Sequence, residues 1–277
     1  MLKQRIITAI ALILFVGGPV LLLPPTGFAV LAVAVFLLAS WEWSRLCGWN
    51  TVAARFAYVV LVALVLAASL TALELLEAPA RQAIQSTFLV SGVWWAIALL
   101  WIQSYPASAS LWQSSWARAL IGLLVLVPSC LAFIWLRITG PYIWLVLYLV
   151  ALVAAADIGA YFFGKALGEK KMVPRVSPGK SWAGLFGGLF CSILLAAGTA
   201  YFFSIPLAMT QWLMISALVA LSSVVGDLLE SMLKRQCGVK DSSNILPGHG
   251  GVLDRLDGWT AAAPVFALCL LSVGWSL

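Results

Sequence analysis

Residues 142–163 read YIWLVLYLVALVAAADIGAYFF, an apolar run broken by one charge, Asp157. As an α-helix such a run covers roughly 30 Å, the thickness of bilayer hydrocarbon, where only helices and closed barrels satisfy their own backbone. Comparable stretches recur at 6–23, 27–46, 56–76, 87–104, 117–136, 182–204, 208–234 and 258–277. The pattern predicts an all-α, polytopic membrane protein with about nine transmembrane helices. Composition agrees: 63% hydrophobic residues, 9% charged residues and a mean hydropathy of +1.05 exclude a water-soluble domain.

Charge placement orients this bundle. Met1 to Leu23 has a basic start and an apolar run, but Gly17, Gly18, Pro19, Pro24 and Pro25 do not form an Ala-x-Ala cleavage site, so it reads as a retained first span. Of the 16 Lys and Arg residues, all but Arg81 and Arg137 then gather at one set of helix ends. By the positive-inside rule the N-terminus is cytosolic and the C-terminus outside. Two short apolar stretches in the first half could instead be re-entrant, which changes the count without moving the basic loops. The net charge of +6 is thereby explained as topology, and no nucleic-acid partner is expected. The five cysteines are scattered without metal-type spacing and read as small packing residues.

Polar chemistry is concentrated in the C-terminal half. Residues 1–136 read as N-terminal transmembrane helices, and 137–277 as C-terminal helices carrying a cytosol-facing site. Two segments there, Lys165 to Ser181 and Arg235 to Asp257, are dense in charge, Gly and Pro. No transporter-type internal repeat is evident.

Near the end of the eighth expected helix, Asp227, Glu230, Ser231 and Lys234 stand at i, i+3, i+4 and i+7 and share one face. A salt-bridge ladder is one reading. The other is a functional site, favoured because Asp227 lies about two turns inside the basic end, where a carboxylate usually faces a polar cavity. Asp157 is a site candidate by the same argument. Lys240, Asp241 and the Gly248 to Gly251 turn form a loop whose glycines let backbone N–H groups approach phosphate oxygens, although a glycine turn alone is a weak signal. His249, the sole histidine, is open to reading as a base, a phosphate donor or neither. Asp254, Arg255 and Asp257 follow, and the two carboxylates with Asp227 make an oxygen set suited to Mg²⁺ rather than zinc. Lys180 and Ser181, ahead of the seventh helix, form either an anion site or an N-cap with an interfacial lysine. Gly184 and Gly188 suggest close helix packing.

The pattern Ser231-x-Leu233-Lys234-Arg235-x4-Lys240-Asp241-x-Ser243-x2-Leu246-Pro247-x-His249-Gly250-Gly251-Val252-x-Asp254-Arg255-Leu256-Asp257 resembles the signature of bacterial phosphatidate cytidylyltransferases, or CDP-diacylglycerol synthases. The resemblance extends to Asp157–Lys165, Ser177–Gly188 and Gly226–Ser231. One departure is Ala183, where that family's pattern has a carboxylate or amide. The resemblance implies transfer of the cytidylyl group of CTP to phosphatidic acid, with release of pyrophosphate, in phospholipid biosynthesis at the bacterial inner membrane. It implies Mg²⁺, as one or two cations, held at Asp227 and Asp254 with Asp257 close by. Asp227, Asp254, Lys234, Ser231 and His249 are then the catalytic candidates. Lys180, Ser181, Arg235, Lys240, Asp241, Gly250, Gly251, Arg255 and Asp157 are the substrate-binding candidates. A homodimer is also suggested. A transporter is the rival class, but its site would lie near the bilayer midplane, whereas these charges sit at helix ends.

Overall fold

The computed structural model describes residues 17–77, 80–139, 143–246, 248 and 250–275. In chain order the elements are α1 (Pro25–Leu46), α2 (Val52–Ala72), α3 (Arg81–Gln103), a short α4 (Ala109–Trp112), α5 (Ser115–Ile138) and α6 (Trp144–Leu167). There follow β1 (Lys171–Val173), β2 (Ser177–Ser181), α7 (Trp182–Phe202), α8 (Met209–Gln236) and α9 (Leu253–Ser272). Every apolar segment expected from 27–46 onward has a helix over it, with ends displaced by a few residues. The first, 6–23, lies mostly outside the described residues, although 17–22 are helical.

Among the described residues, seven helices (α1 to α3 and α5 to α8) are long and apolar enough to cross a membrane. The chain is therefore a mostly helical, polytopic integral membrane protein. α9 is not among the seven, because its first two turns carry Asp254, Arg255 and Asp257. It is nonetheless an interior helix, with Ala261, Ala262, Ala263, Phe266, Ala267 and Leu270 fully buried. α5 is the other interior helix, 78% of its apolar window covered by protein, against 17% for α2 at the periphery.

Ends of neighbouring helices meet in two groups. At one end Arg118, in the first turn of α5, donates to the carbonyl of Leu46 (2.7 Å), and the Cys237 thiol after α8 donates to the same carbonyl (3.2 Å). At the other, Arg81 donates to the Leu271 carbonyl (2.9 Å) and Arg137 to that of Leu23 (2.8 Å). These are the two bases set apart by the charge pattern. All five cysteines are free thiols.

α6 and α7 pack backbone to backbone. A Cβ on Gly188 would lie 2.6 Å from the Ala156 carbonyl oxygen, and one on Gly184 would lie 3.0 Å from that of Ala160. The small residues read in sequence as a packing stripe do pack, and by this closeness they set the distance between the two helices. The segment between α6 and α7, dense in charge, Gly and Pro, contains an antiparallel hairpin. Lys171 pairs with Ser181 and Val173 with Ser177. Its strands are too short for periodicity to reveal them, and Pro178 and Gly179 argue locally for a turn.

Candidate active site

The expected polar face of α8 forms. Ser231 Oγ donates to Asp227 Oδ1 (3.1 Å), and one turn on Lys234 Nζ lies 3.0 Å from Glu230 Oε1. Each half of this face then acquires a partner from elsewhere in the chain.

Lys180, carried by β2, brings its Nζ to 2.7 Å from Asp227 Oδ2 and 3.5 Å from the Val224 carbonyl. The hairpin is itself tied to α8, since Arg235 Nε donates to the Val176 carbonyl (3.2 Å). Beside this pair a cavity of about 210 Å³ is lined by Asp157, Tyr161, Lys180, Gly184, Gly188 and Val224. Asp157 of α6 thus shares one concavity with Lys180, although 23 residues separate them in sequence. Ser181 also lines this cavity. It is buried, and its Oγ accepts the Gly184 N–H (3.1 Å) as the N-cap of α7.

Lys234 reaches forward to Asp254 Oδ1 (2.7 Å) in the first turn of α9. Asp254 is enclosed by donors: the Ser242 N–H (3.0 Å) and Oγ (3.0 Å) and the Gly251 N–H (2.7 Å) all reach Oδ2. The Gly251 amide is therefore spent on Asp254. A side chain at Gly251 would strike Ser242 Oγ and both carboxylate oxygens of Glu42, so glycine is required there for space. Gly250 has a φ of +82°, the left-handed region that favours glycine, and its carbonyl accepts the Leu246 N–H (2.9 Å), closing the turn.

Asp257 joins the two halves. Its backbone carbonyl presses against Gly226 of α8, with no room for a Cβ between them, and its carboxylate lies within electrostatic reach of Asp227 and Lys180. Asp257 Oδ1 accepts the Gly258 N–H (2.7 Å). Lys240 and Asp241 are exposed on the loop, and Arg255 is exposed on the first turn of α9, within electrostatic reach of Asp157. His249 lies outside the described residues.

The structure thus assembles Asp157, Lys180, Asp227, Ser231, Lys234, Asp254 and Asp257 at one end of the bundle. Two participants were not among the sequence candidates. Glu230 stands on the α8 face with no site role expected of it, and it is buried against Lys234. Glu42 of α1 is fully buried and accepts four hydrogen bonds from the loop before α9. The rule that singled out Asp227, an acid inside an apolar span, applies equally to Glu42.

The donor set suits a hard cation that borrows ligands. Four carboxyl groups, Asp227, Glu230, Asp254 and Asp257, stand against two lysines, Lys180 and Lys234. Yet among the described residues no group of three or more His, Cys, Asp or Glu converges closely enough to hold an ion alone. Mg²⁺ commonly takes one or two carboxylates and completes its shell with water and substrate phosphates.

Comparison with known proteins agrees with this chemistry. Residues 3–273 match the model of the cytidylyltransferase family. The phosphatidate cytidylyltransferase of Pseudomonas aeruginosa is 46% identical over 276 residues, covering 99% of both chains. That of Haemophilus influenzae is 40% identical over 96% of this chain and 98% of its own, and that of Brucella suis 34% identical over 96% and 92%. With a match spanning nearly its whole length, and with lysines and carboxylates gathered at one end of a membrane-embedded bundle, the chain belongs to the cytidylyltransferase family.

Proposed function

We propose that the protein is a CTP:phosphatidate cytidylyltransferase of the bacterial inner membrane, with about nine spans, a cytosolic N-terminus, an outer C-terminus and its polar helix ends facing the cytosol. The observation that carries this reading is Lys180, which lines a cavity walled by apolar helices and is paired with Asp227 at 2.7 Å. A cationic and metal-capable group set at such a boundary lets a bilayer lipid and a water-soluble nucleotide meet without lipid flipping.

The attacking group is the phosphate monoester of phosphatidic acid. Such a group has its second pKa near about 6, so it is already largely dianionic at neutral pH and needs little help from a general base. One of its oxygens attacks the α-phosphorus of CTP. The new P–O bond forms as the bond to the bridging oxygen of the β-phosphate breaks, and pyrophosphate leaves with that oxygen. The requirement is charge neutralisation and alignment.

Lys180 offsets phosphate charge at the cavity by exchanging its Asp227 partner for a phosphate oxygen, with Asp157 and Arg255 setting the local field. Lys234 and Arg235 offset the charge that grows on pyrophosphate. Lys240, Asp241 and the Gly248 to Gly251 turn border the triphosphate, and Ser231 holds the Asp227 carboxylate in place. Asp227 and Asp254 would hold Mg²⁺, with Asp257 beside them, and the bound ion would neutralise phosphate charge and orient the phosphates for in-line displacement.

The test is incubation of purified protein with α-labelled CTP, phosphatidic acid and Mg²⁺. Label should enter the lipid phase in step with pyrophosphate release. Liposome uptake of solute with no pyrophosphate formed from CTP would overturn the reading in favour of transport.

A further inference from the structure

We propose that Glu42 is a positioning residue for nucleotide transfer, a carboxylate from the N-terminal half that fixes the catalytic loop and the start of α9; the inference rests on the activity proposed above. Glu42 has no exposed surface, and it sits one turn before the end of α1, 200 residues from the loop it holds. Its Oε1 accepts from Ser243 Oγ (2.5 Å) and the Val252 N–H (3.0 Å). Its Oε2 accepts from Ser242 Oγ (3.1 Å) and the Leu253 N–H (2.7 Å).

A buried carboxylate is costly unless its charge is met by donors. Here four donors meet it, and two are N–H groups at the start of α9 that have no partner within the helix. The positive end of the helix dipole adds to the attraction. Glu42 therefore does for α9 from a distance what an N-cap side chain does locally.

The consequence reaches the reacting end of the site through one residue. Ser242 Oγ lies between Glu42 Oε2 and Asp254 Oδ2 (3.0 Å), and the Ser242 N–H donates to Asp254 as well. Asp254 in turn meets Lys234. Glu42, Ser242, Asp254 and Lys234 thus form a chain in which the first member sets the place of the third. Arg45, one residue from the end of α1, donates to the Ser242 carbonyl (3.3 Å) and fastens the same loop from the other side. Glu42 does not line the cavity, and its hydrogen bonds go to Ser242, Ser243 and the start of α9.

Glutamine does not replace glutamate here. Each carboxylate oxygen faces one backbone N–H, so whichever way an amide is flipped its NH₂ opposes an N–H donor. In Glu42→Gln the purified protein should keep its detergent size-exclusion profile, while hydrogen exchange over residues 242–253 quickens and exchange across α6 and α7 does not. The kcat/KM for CTP should fall by about tenfold or more, the scale of one lost charge-assisted hydrogen bond, with KM for phosphatidic acid unchanged. A folded Glu42→Gln protein whose kcat/KM for CTP stays within about twofold of the parent overturns the proposal.

If Glu42→Gln does not fold, Ser243→Ala removes one of the four donors and leaves the carboxylate. It should lower kcat/KM for CTP about threefold, again without moving KM for the lipid, and an unchanged value overturns the proposal. An unaltered parent protein that transfers no label sinks the functional reading itself. An active parent indifferent to both changes sinks only the role of Glu42.

Discussion

The two lysine–carboxylate pairs at the polar end differ in what surrounds them. Lys180 and Asp227 have side chains 24% and 34% exposed, and Lys180 lines a cavity, while Lys234 and Asp254 are 11% and 6% exposed. The open pair joins a short hairpin to a helix and has few other contacts. In the closed pair, Lys234 also meets Glu230, which is 3% exposed, and Asp254 also accepts from Ser242 and Gly251. The same chemistry in two settings serves two ends. A half-exposed carboxylate can release its lysine to an arriving phosphate at little cost, whereas the enclosed one also fixes the geometry and field of the loop around it.

The largest effect that tests this contrast is loss of either acid. Asp227→Ala and Asp254→Ala should each lower turnover by on the order of a thousandfold in folded protein, measured by transfer of label from CTP to lipid. Near-normal Mg²⁺-dependent activity in either protein would remove that residue from the proposed cation site. If only Asp254→Ala also loses its sharp thermal transition, the assignment of a framework role to the closed pair is strengthened.

The lysines sharpen the contrast further, because here stability and activity should separate. Lys234→Ala leaves Glu230 and Asp254 buried without their cation, a change that typically costs on the order of 3 kcal/mol. Lys180→Ala breaks a part-exposed pair worth about 1 kcal/mol or less. Thermal unfolding in one detergent should therefore show a large drop for Lys234→Ala and a small one for Lys180→Ala, while both lower kcat/KM. Equal midpoints would dissolve the distinction. An unchanged kcat/KM in folded Lys234→Ala would take that lysine out of the site.

How much of this was legible in sequence depended on the range of the interaction. The α8 face was readable because Asp227, Glu230, Ser231 and Lys234 are bound by helical periodicity, and Asp254 because it follows within the same signature. The Lys180–Asp227 contact was not, since the β1–β2 hairpin that delivers Lys180 is only a few residues per strand and leaves no periodic trace. Glu42 was missed for a different reason. Its span reads as lipid-facing apolar helix, and what makes a carboxylate tolerable there is a loop 200 residues away, invisible until the chain is folded. The charge pattern did separate Arg81 and Arg137 from the other bases, and both take helix-end carbonyls at the end of the bundle away from Asp227, Asp254 and Asp257.

Ser181 offers the smallest effect and a direct choice between the two meanings that its sequence context left open. Its Oγ accepts the Gly184 N–H, and it is hemmed in by the end of α6, where a Cβ on Gly168 would come within 2.6 Å of it. A hydroxyl so placed is a cap first, and Ser181→Ala should cost about 1 kcal/mol of stability. Because Lys180 is fixed by its strand and by Asp227 rather than by the cap, kcat/KM for CTP and for phosphatidic acid should then stay within about twofold. A tenfold loss of either with no shift in the unfolding midpoint would mean that Oγ leaves Gly184 to meet a phosphate. The open pair would then gain a hydroxyl, and the helix start would have to rearrange whenever substrate binds.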